Sequence, residues 1–138
     1  MEFITNDGGR KAAGYLGLAS DCVTRSIAIV TGKPYQEVYN SLNNLAKAES
    51  GKKKRSSARN GVHKSTYHKY LLSLGLKWTP TMLIGQGCKV HLKKDELPSG
   101  KLIVRVSKHL TAVIDGAIHD TFDCSRGGTR CVYGYYSF

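Results

Sequence analysis

The stretch KHLTAVIDGAIHD, residues 108–120, decides how the rest of the chain is read. Asp115-Gly116 is a preferred two-residue hairpin turn. It separates two runs of strand-forming residues, His109 to Ile114 and Ala117 to Phe122. With Asp115 and Gly116 in the turn, Ile114 faces Ala117, Val113 faces Ile118, Thr111 faces Asp120 and His109 faces Phe122. Opposed residues share a face of the sheet, and so do residues two apart on one strand. His109 and Asp120 are therefore expected as diagonal neighbours on one face, roughly 7–8 Å apart between backbones. His119 points the other way, Asp115 sits in the turn, and Asp123 has the wrong parity. A slip of one residue would reverse all of these assignments.

Working outward, Lys101 to Ser107 and Thr129 to Tyr136 read as further strands, and Pro80, Gly85, Gly87, Pro98 and Gly100 punctuate the region after Trp78. Before Trp78 the period changes. Ser20-Asp21 offers a helix N-cap, and Cys22 to Thr31 reads as a buried helix stopped by Gly32. Pro34 opens a second helix, in which Tyr35, Val38, Tyr39, Leu42 and Leu45 recur at spacings of three and four before the pattern fades near Glu49. A third helix carries Tyr67, Tyr70, Leu71 and Leu74 and stops at Gly75. Residues 1–20 are Gly-rich and polar, an extended or looped lead-in, and residues 51–61, GKKKRSSARNG, read as a mobile basic loop. The order predicts one α+β domain over residues 1–138, with N-terminal helices packed on a C-terminal antiparallel sheet.

The bulk numbers limit the function. A hydrophobic fraction of 41% is that of a globular protein, not a disordered one. No secretory leader and no run of eighteen apolar residues is present, so the expectation is a cytoplasmic chain with no membrane contact. In that compartment Cys22, Cys88, Cys124 and Cys131 are expected as reduced thiols, metal ligands or catalytic groups rather than disulfides. The 21 Lys and Arg against 10 Asp and Glu favour an acidic protein substrate or a polyanion.

Cys22 opens the first buried helix. Unpaired backbone N–H groups and the helix dipole at that end favour a thiolate, which is what a nucleophilic cysteine needs. Read alone, Cys22 is a small core residue, since cysteine is among the most buried types. The companions change that. Histidine is the usual base for a cysteine nucleophile, and a carboxylate beside an imidazole fixes its tautomer and stabilises the imidazolium. His109 and Asp120 are the pair that the hairpin register supplies.

These segments, Ser20-Asp21-Cys22-Val23-Thr24-Arg25, Lys108 to Gly116 and Ile118-His119-Asp120, resemble the papain-like cysteine peptidase superfamily. The texture is similar to that of compact bacterial members that trim leader peptides from bacteriocins, and to small bacterial and phage proteins. The resemblance implies a papain-like fold and a Cys22–His109–Asp120 triad in a peptidase or isopeptidase, with acyl transfer or deamidation as variants. It implies a protein or peptide substrate and no cofactor or metal. One departure is clear: such peptidases commonly carry a glutamine a few residues before the cysteine, and Gly14 to Ala19 contains no amide side chain. The nearest upstream amide is Asn6, which becomes the candidate oxyanion donor beside the backbone N–H of Cys22.

Three other constellations compete. Cys88-x-x-His91 with Cys124 and Cys131 has the donor types of a zinc site. His63-Lys-Ser65 with His109-Leu-Thr111 resembles the paired motifs of two-histidine phosphoesterases, which belong on strands. Lys52, Lys53, Lys54 and Arg55, near Tyr67, Tyr70 and Trp78, have the charges and stacking faces of a non-catalytic module that binds nucleic acid or another polyanion. The reading that accounts for most residues is the cysteine hydrolase.

Overall fold

The computed structural model describes residues 1–17, 19–48 and 57–138. In chain order the elements are strand β1 (Glu2–Thr5), helices α1 (Cys22–Thr31), α2 (Tyr35–Ala48) and α3 (Lys64–Ser73), strand β2 (Lys77–Pro80), a short 3-10 turn (Lys94–Glu96), and strands β3 (Lys101–Val106), β4 (His109–Ile114), β5 (Ala117–Asp120) and β6 (Gly134–Ser137). The chain is therefore mixed α+β: three helices and a six-stranded open sheet among the described residues, in the order β1-β5-β4-β3-β6-β2.

The β4–β5 hairpin has the register its sequence demands, with Ile114 opposite Ala117, Val113 opposite Ile118 and Ala112 opposite His119. Both turn residues adopt positive φ, Asp115 at 48° and Gly116 at 81°, the backbone that a tight hairpin turn with the right twist requires. Asp115 also accepts the Gly100 N–H at 2.8 Å, which ties the turn to the start of β3.

The sheet is mixed rather than antiparallel, a correction to the sequence reading. β1 runs parallel to β5, with Phe3 opposite Ile118 and Thr5 opposite Asp120. Four residues are too few to show alternation, and the following glycines made this segment read as a loop. Phe3 packs against the core formed by β3–β5, which is the driving force for the pairing. The last strand is also shorter than expected: β6 begins at Gly134, while residues before it bend into a loop, where Cys131 bridges His91.

α1 shows why propensity is a weak guide. Its Val23, Thr24, Ile27, Ile29, Val30 and Thr31 are β-branched, yet Ile27 and Val30 are almost fully buried against the sheet, and that burial decides the conformation. The helix stops at Gly32, whose N–H bonds Ala28 O at 3.0 Å. α2 is more ordinary and buries Tyr35, Val38 and Leu42 along one stripe.

Both faces of the sheet are covered. On one, Ile103, Leu110, Ala112 and Tyr136 meet Ile27, Val38, Leu42 and Leu71 of the helices. On the other, Leu102, Val104, Val106, Val113 and Ile118 meet Leu92, Leu97, Cys124 and Val132, which lie outside the helices and strands of the sheet. Of the basic segment, residues 51–56 lie outside the described residues. Residues 57–61 form a pinned turn rather than a loose loop: Ser57 and Gly61 exchange backbone bonds of 2.8 and 3.0 Å. Ala58, fully buried, takes the Asn43 side-chain oxygen on its N–H and the Thr24 hydroxyl on its carbonyl. No helix among the described residues is long and apolar enough to cross a membrane.

Candidate active site

The start of α1 differs from the expected cap. Asp21 occupies the N-cap position, but its carboxylate makes no capping bond. It pairs instead with the Arg25 guanidinium, accepts the Tyr35 hydroxyl at 2.6 Å and lies 3.3 Å from Arg10 Nε. Two cations and a phenol outbid neutral N–H groups for a carboxylate that is 2% exposed. With no side-chain cap, the positive end of the helix is directed at its first residue, Cys22, which is half-buried.

Asp120 ends β5 as one of the most hydrogen-bonded carboxylates of the chain. It accepts His109 Nε2 at 2.7 Å, Thr111 Oγ1 at 2.8 Å and the Thr121 N–H at 2.7 Å, and Arg25 Nη2 lies at 3.4 Å. The Thr111 bond and the His109–Phe122 ring contact, 5.2 Å between centroids, are the next two pairings that the hairpin register implies. With Nε2 on the carboxylate, Nδ1 is the ring nitrogen left for a second partner. The Cys22 thiol interacts with the same ring and with the Leu110 backbone N–H. The structure thus brings Cys22, His109 and Asp120 together at the start of β4, where α1 begins.

The electrostatics follow from this packing. Burial by itself would lower the His109 pKa, but bonds to Asp120, Cys124 and Cys22 overcome it and push it up to about 11. Burial would raise the Cys22 thiol, yet the His109 bond and charge, the Leu110 N–H and Arg25 bring it below the ordinary 9.0. Asp120 is likewise opposed by burial and is held below the ordinary 3.8 by His109, Thr111 and Thr121. The charged forms support one another: thiolate, imidazolium and carboxylate in sequence, with Arg25 spanning Asp21 and Asp120. Such a row can present a sulfur nucleophile and hold a proton ready for a leaving group.

Asn6 is not brought to Cys22. Its amide nitrogen lies 3.4 Å from His119 Nδ1, and its amide oxygen accepts the Gly8 N–H at 2.9 Å. The β1–β5 pairing carries the chain past Asp120, where the Asn6 backbone N–H donates to Asp120 O at 2.8 Å. Asn6 therefore braces the strand that holds the carboxylate. Gly8 then passes so close to α1 that a Cβ there would sit 2.9 Å from Arg25 O.

The sequence reading missed Arg25 and Cys124. Arg25 lies four residues after Asp21, a helical spacing that could have exposed the ion pair. Cys124 Sγ lies 3.9 Å from Asp120 Oδ2, and nothing in its local sequence indicates that. His109, Asp120 and Cys124 offer donor atoms of metal-ligand type within 4.8 Å of one another, although the Arg25 guanidinium beside Asp120 opposes a cation there.

The competing constellations come apart. Cys88 and Cys131 form a disulfide, with Cα atoms 5.8 Å apart, next to the His91–Cys131 backbone bridge, whereas the sequence reading expected reduced thiols, metal ligands or catalytic groups. Cys124 lies with His109 instead, so the four zinc donors do not assemble. His63 occupies the N-cap position of α3 and is not on a strand, which separates it from the two-histidine pattern. Lys52, Lys53, Lys54 and Arg55 fall outside the described residues. Comparison of the chain with family models, curated proteins and solved structures finds no match to any of the three.

Proposed function

We propose that this chain is a cysteine-dependent hydrolase of papain-like arrangement, acting as a peptidase or isopeptidase. What supports the reading is one observation: Cys22, at an uncapped helix start, shares the His109 imidazole with a buried Asp120. The Cys22 thiolate attacks the carbonyl carbon of a peptide bond, and the carbonyl electron pair moves to oxygen. The Cys22 backbone N–H at the helix start donates to that oxyanion. Collapse expels the amine, which takes the proton from the His109 imidazolium and leaves a thioester on Cys22. Water then attacks the thioester while His109 accepts its proton. The released acid and the regained thiolate–imidazolium pair close the cycle. Asp120 keeps its proton off throughout and stabilises the imidazolium.

The test is site-resolved alkylation followed by turnover. Iodoacetamide at neutral pH should label Cys22 faster than Cys124 in the folded chain, and faster than Cys22 in the unfolded chain. A peptide library incubated with the protein should yield cleavage products that Cys22→Ala abolishes. Slow labelling of an accessible Cys22, together with no Cys22-dependent cleavage, would reject the hydrolase.

A further inference from the structure

On the sheet face against which Cys22 packs stands a cation that the triad does not use. Arg105 is on β3, and its register partner is Leu110, the residue after His109 on β4. Paired residues project on one face with Cα atoms about 4.5–5.5 Å apart. Leu110 belongs to the helix-side cluster against which Cys22 packs. Arg105 therefore stands one strand over from the reacting sulfur.

Its surroundings hold it there without neutralising it. The guanidinium carbon lies 5.5 Å from the centre of the Tyr133 ring, and the Tyr133 N–H donates to Arg105 O at 2.9 Å. The buried Tyr67 phenol, in the helix-side core against which Cys22 packs, senses the charge of both Arg105 and Cys22. Arg10 and Arg25 are bound to Asp21 or Asp120, but among the described residues Arg105 lies within ion-pair distance of no carboxylate. A half-buried guanidinium stacked on an aromatic ring keeps its fork of N–H donors for a carboxylate.

We propose that Arg105 is a specificity residue that binds an acidic side chain beside the scissile bond, which makes acidic peptides the substrate class. The inference rests on the cysteine-hydrolase reading.

Iodoacetate and iodoacetamide test it, because they deliver the same carbon to sulfur and differ in one negative charge. Labelling rates at Cys22 are measured by mass spectrometry for the wild type, Arg105→Gln and Lys108→Gln. Arg105→Gln should slow iodoacetate about five- to tenfold and iodoacetamide less than about twofold, the effect of one partly screened charge at close range. Lys108→Gln, beside His109 but exposed, should move either rate less than about twofold. In the wild type, added salt should slow iodoacetate and leave iodoacetamide alone. An unchanged ratio in Arg105→Gln, or an equal loss in Lys108→Gln, overturns the proposal while the hydrolase stands. If Arg105→Gln fails to fold, the wild-type salt series decides, and a salt-independent iodoacetate rate overturns it. Cys22 labelling by iodoacetamide no faster than in the unfolded chain would reject the hydrolase and this inference together.

Discussion

Where helices cover the sheet, Ile27, Val38, Leu42 and Leu71 press on Ile103 and Ala112. On the opposite face Leu92, Leu97, Cys124 and Val132 press on Leu102, Val113 and Ile118, and the Cys88–Cys131 disulfide fastens two of the covering segments. The helix layer brings Cys22, the proposed nucleophile. The loop-covered face brings the carboxylate, since Asp120 lies two residues after Ile118 on the same face and touches Cys124. His109, at the start of β4, meets both, and Arg25 crosses from α1 to Asp120. The difference teaches that the proposed chemistry depends on how two layers are aligned, not on either alone.

The largest effect should come from cutting the joint between the layers. His109→Ala should lower peptide turnover by about 10²–10⁴, the usual share of general acid–base catalysis. It should also return Cys22 labelling to the pH dependence of an ordinary thiol. Asp120→Asn should come next: turnover falls, while the labelling profile shifts less than in His109→Ala because Cys22 still meets the ring. If Asp120→Asn is silent and Asp115→Asn damaging, the layers are joined elsewhere.

Stability should separate the faces more evenly. Ile27→Ala and Leu92→Ala, both at fully buried positions, should each cost about 2–5 kcal/mol in denaturant unfolding. Only Ile27→Ala should also slow Cys22 labelling, because it loosens the helix that carries the thiol. Equal slowing by both would mean that the layers are not distinct. Replacing Cys88 and Cys131 together by Ser should remove about 2–4 kcal/mol and leave Cys22 labelling within about twofold.

The smallest effect is a missing slope in the pH dependence of stability. His109, raised from 6.5 to about 11, contributes stability that is full below 6.5 and lost as pH rises through about 11. Cys22, lowered from 9.0, contributes stability that is full above 9.0 and lost as pH falls through its depressed value. While the folded chain holds thiolate and imidazolium and the unfolded chain thiol and imidazole, each state keeps one proton, and the slope from this pair is zero. That window starts at 6.5 or at the lowered Cys22 value, whichever is higher, and closes at 9.0. Cys22→Ser removes the compensating group, so its stability should decline with pH from 6.5 upward. A wild-type curve that declines as steeply there as that of Cys22→Ser would reject the ion pair.

The hairpin register was legible because a two-residue turn and a period of two leave no freedom, and with it came the neighbourhood of His109, Thr111 and Asp120. The α1 boundaries were legible from Cys22 and Gly32. β1 was not, because its partner lies over a hundred residues away and four residues carry no pattern. Cys124 and the Cys88–Cys131 bond depend on how irregular segments fold over the second face, where no periodicity exists to read. The cap failed at Asp21 because tertiary partners, Arg10 and Tyr35, outcompeted the local one.

The parallel pairing of β1 with β5 has a consequence for the order of events during synthesis. The ribosome makes Glu2–Thr5 long before its partner, and that segment finds its place only when Ala117–Asp120 has emerged. Cys22 leaves the tunnel well before His109 and Asp120. Throughout that interval the sulfur has the reactivity of any thiol in a growing chain. The proposed activation should therefore wait for β4 and β5 to emerge, and nascent chains halted before residue 109 should carry Cys22 without its proposed base.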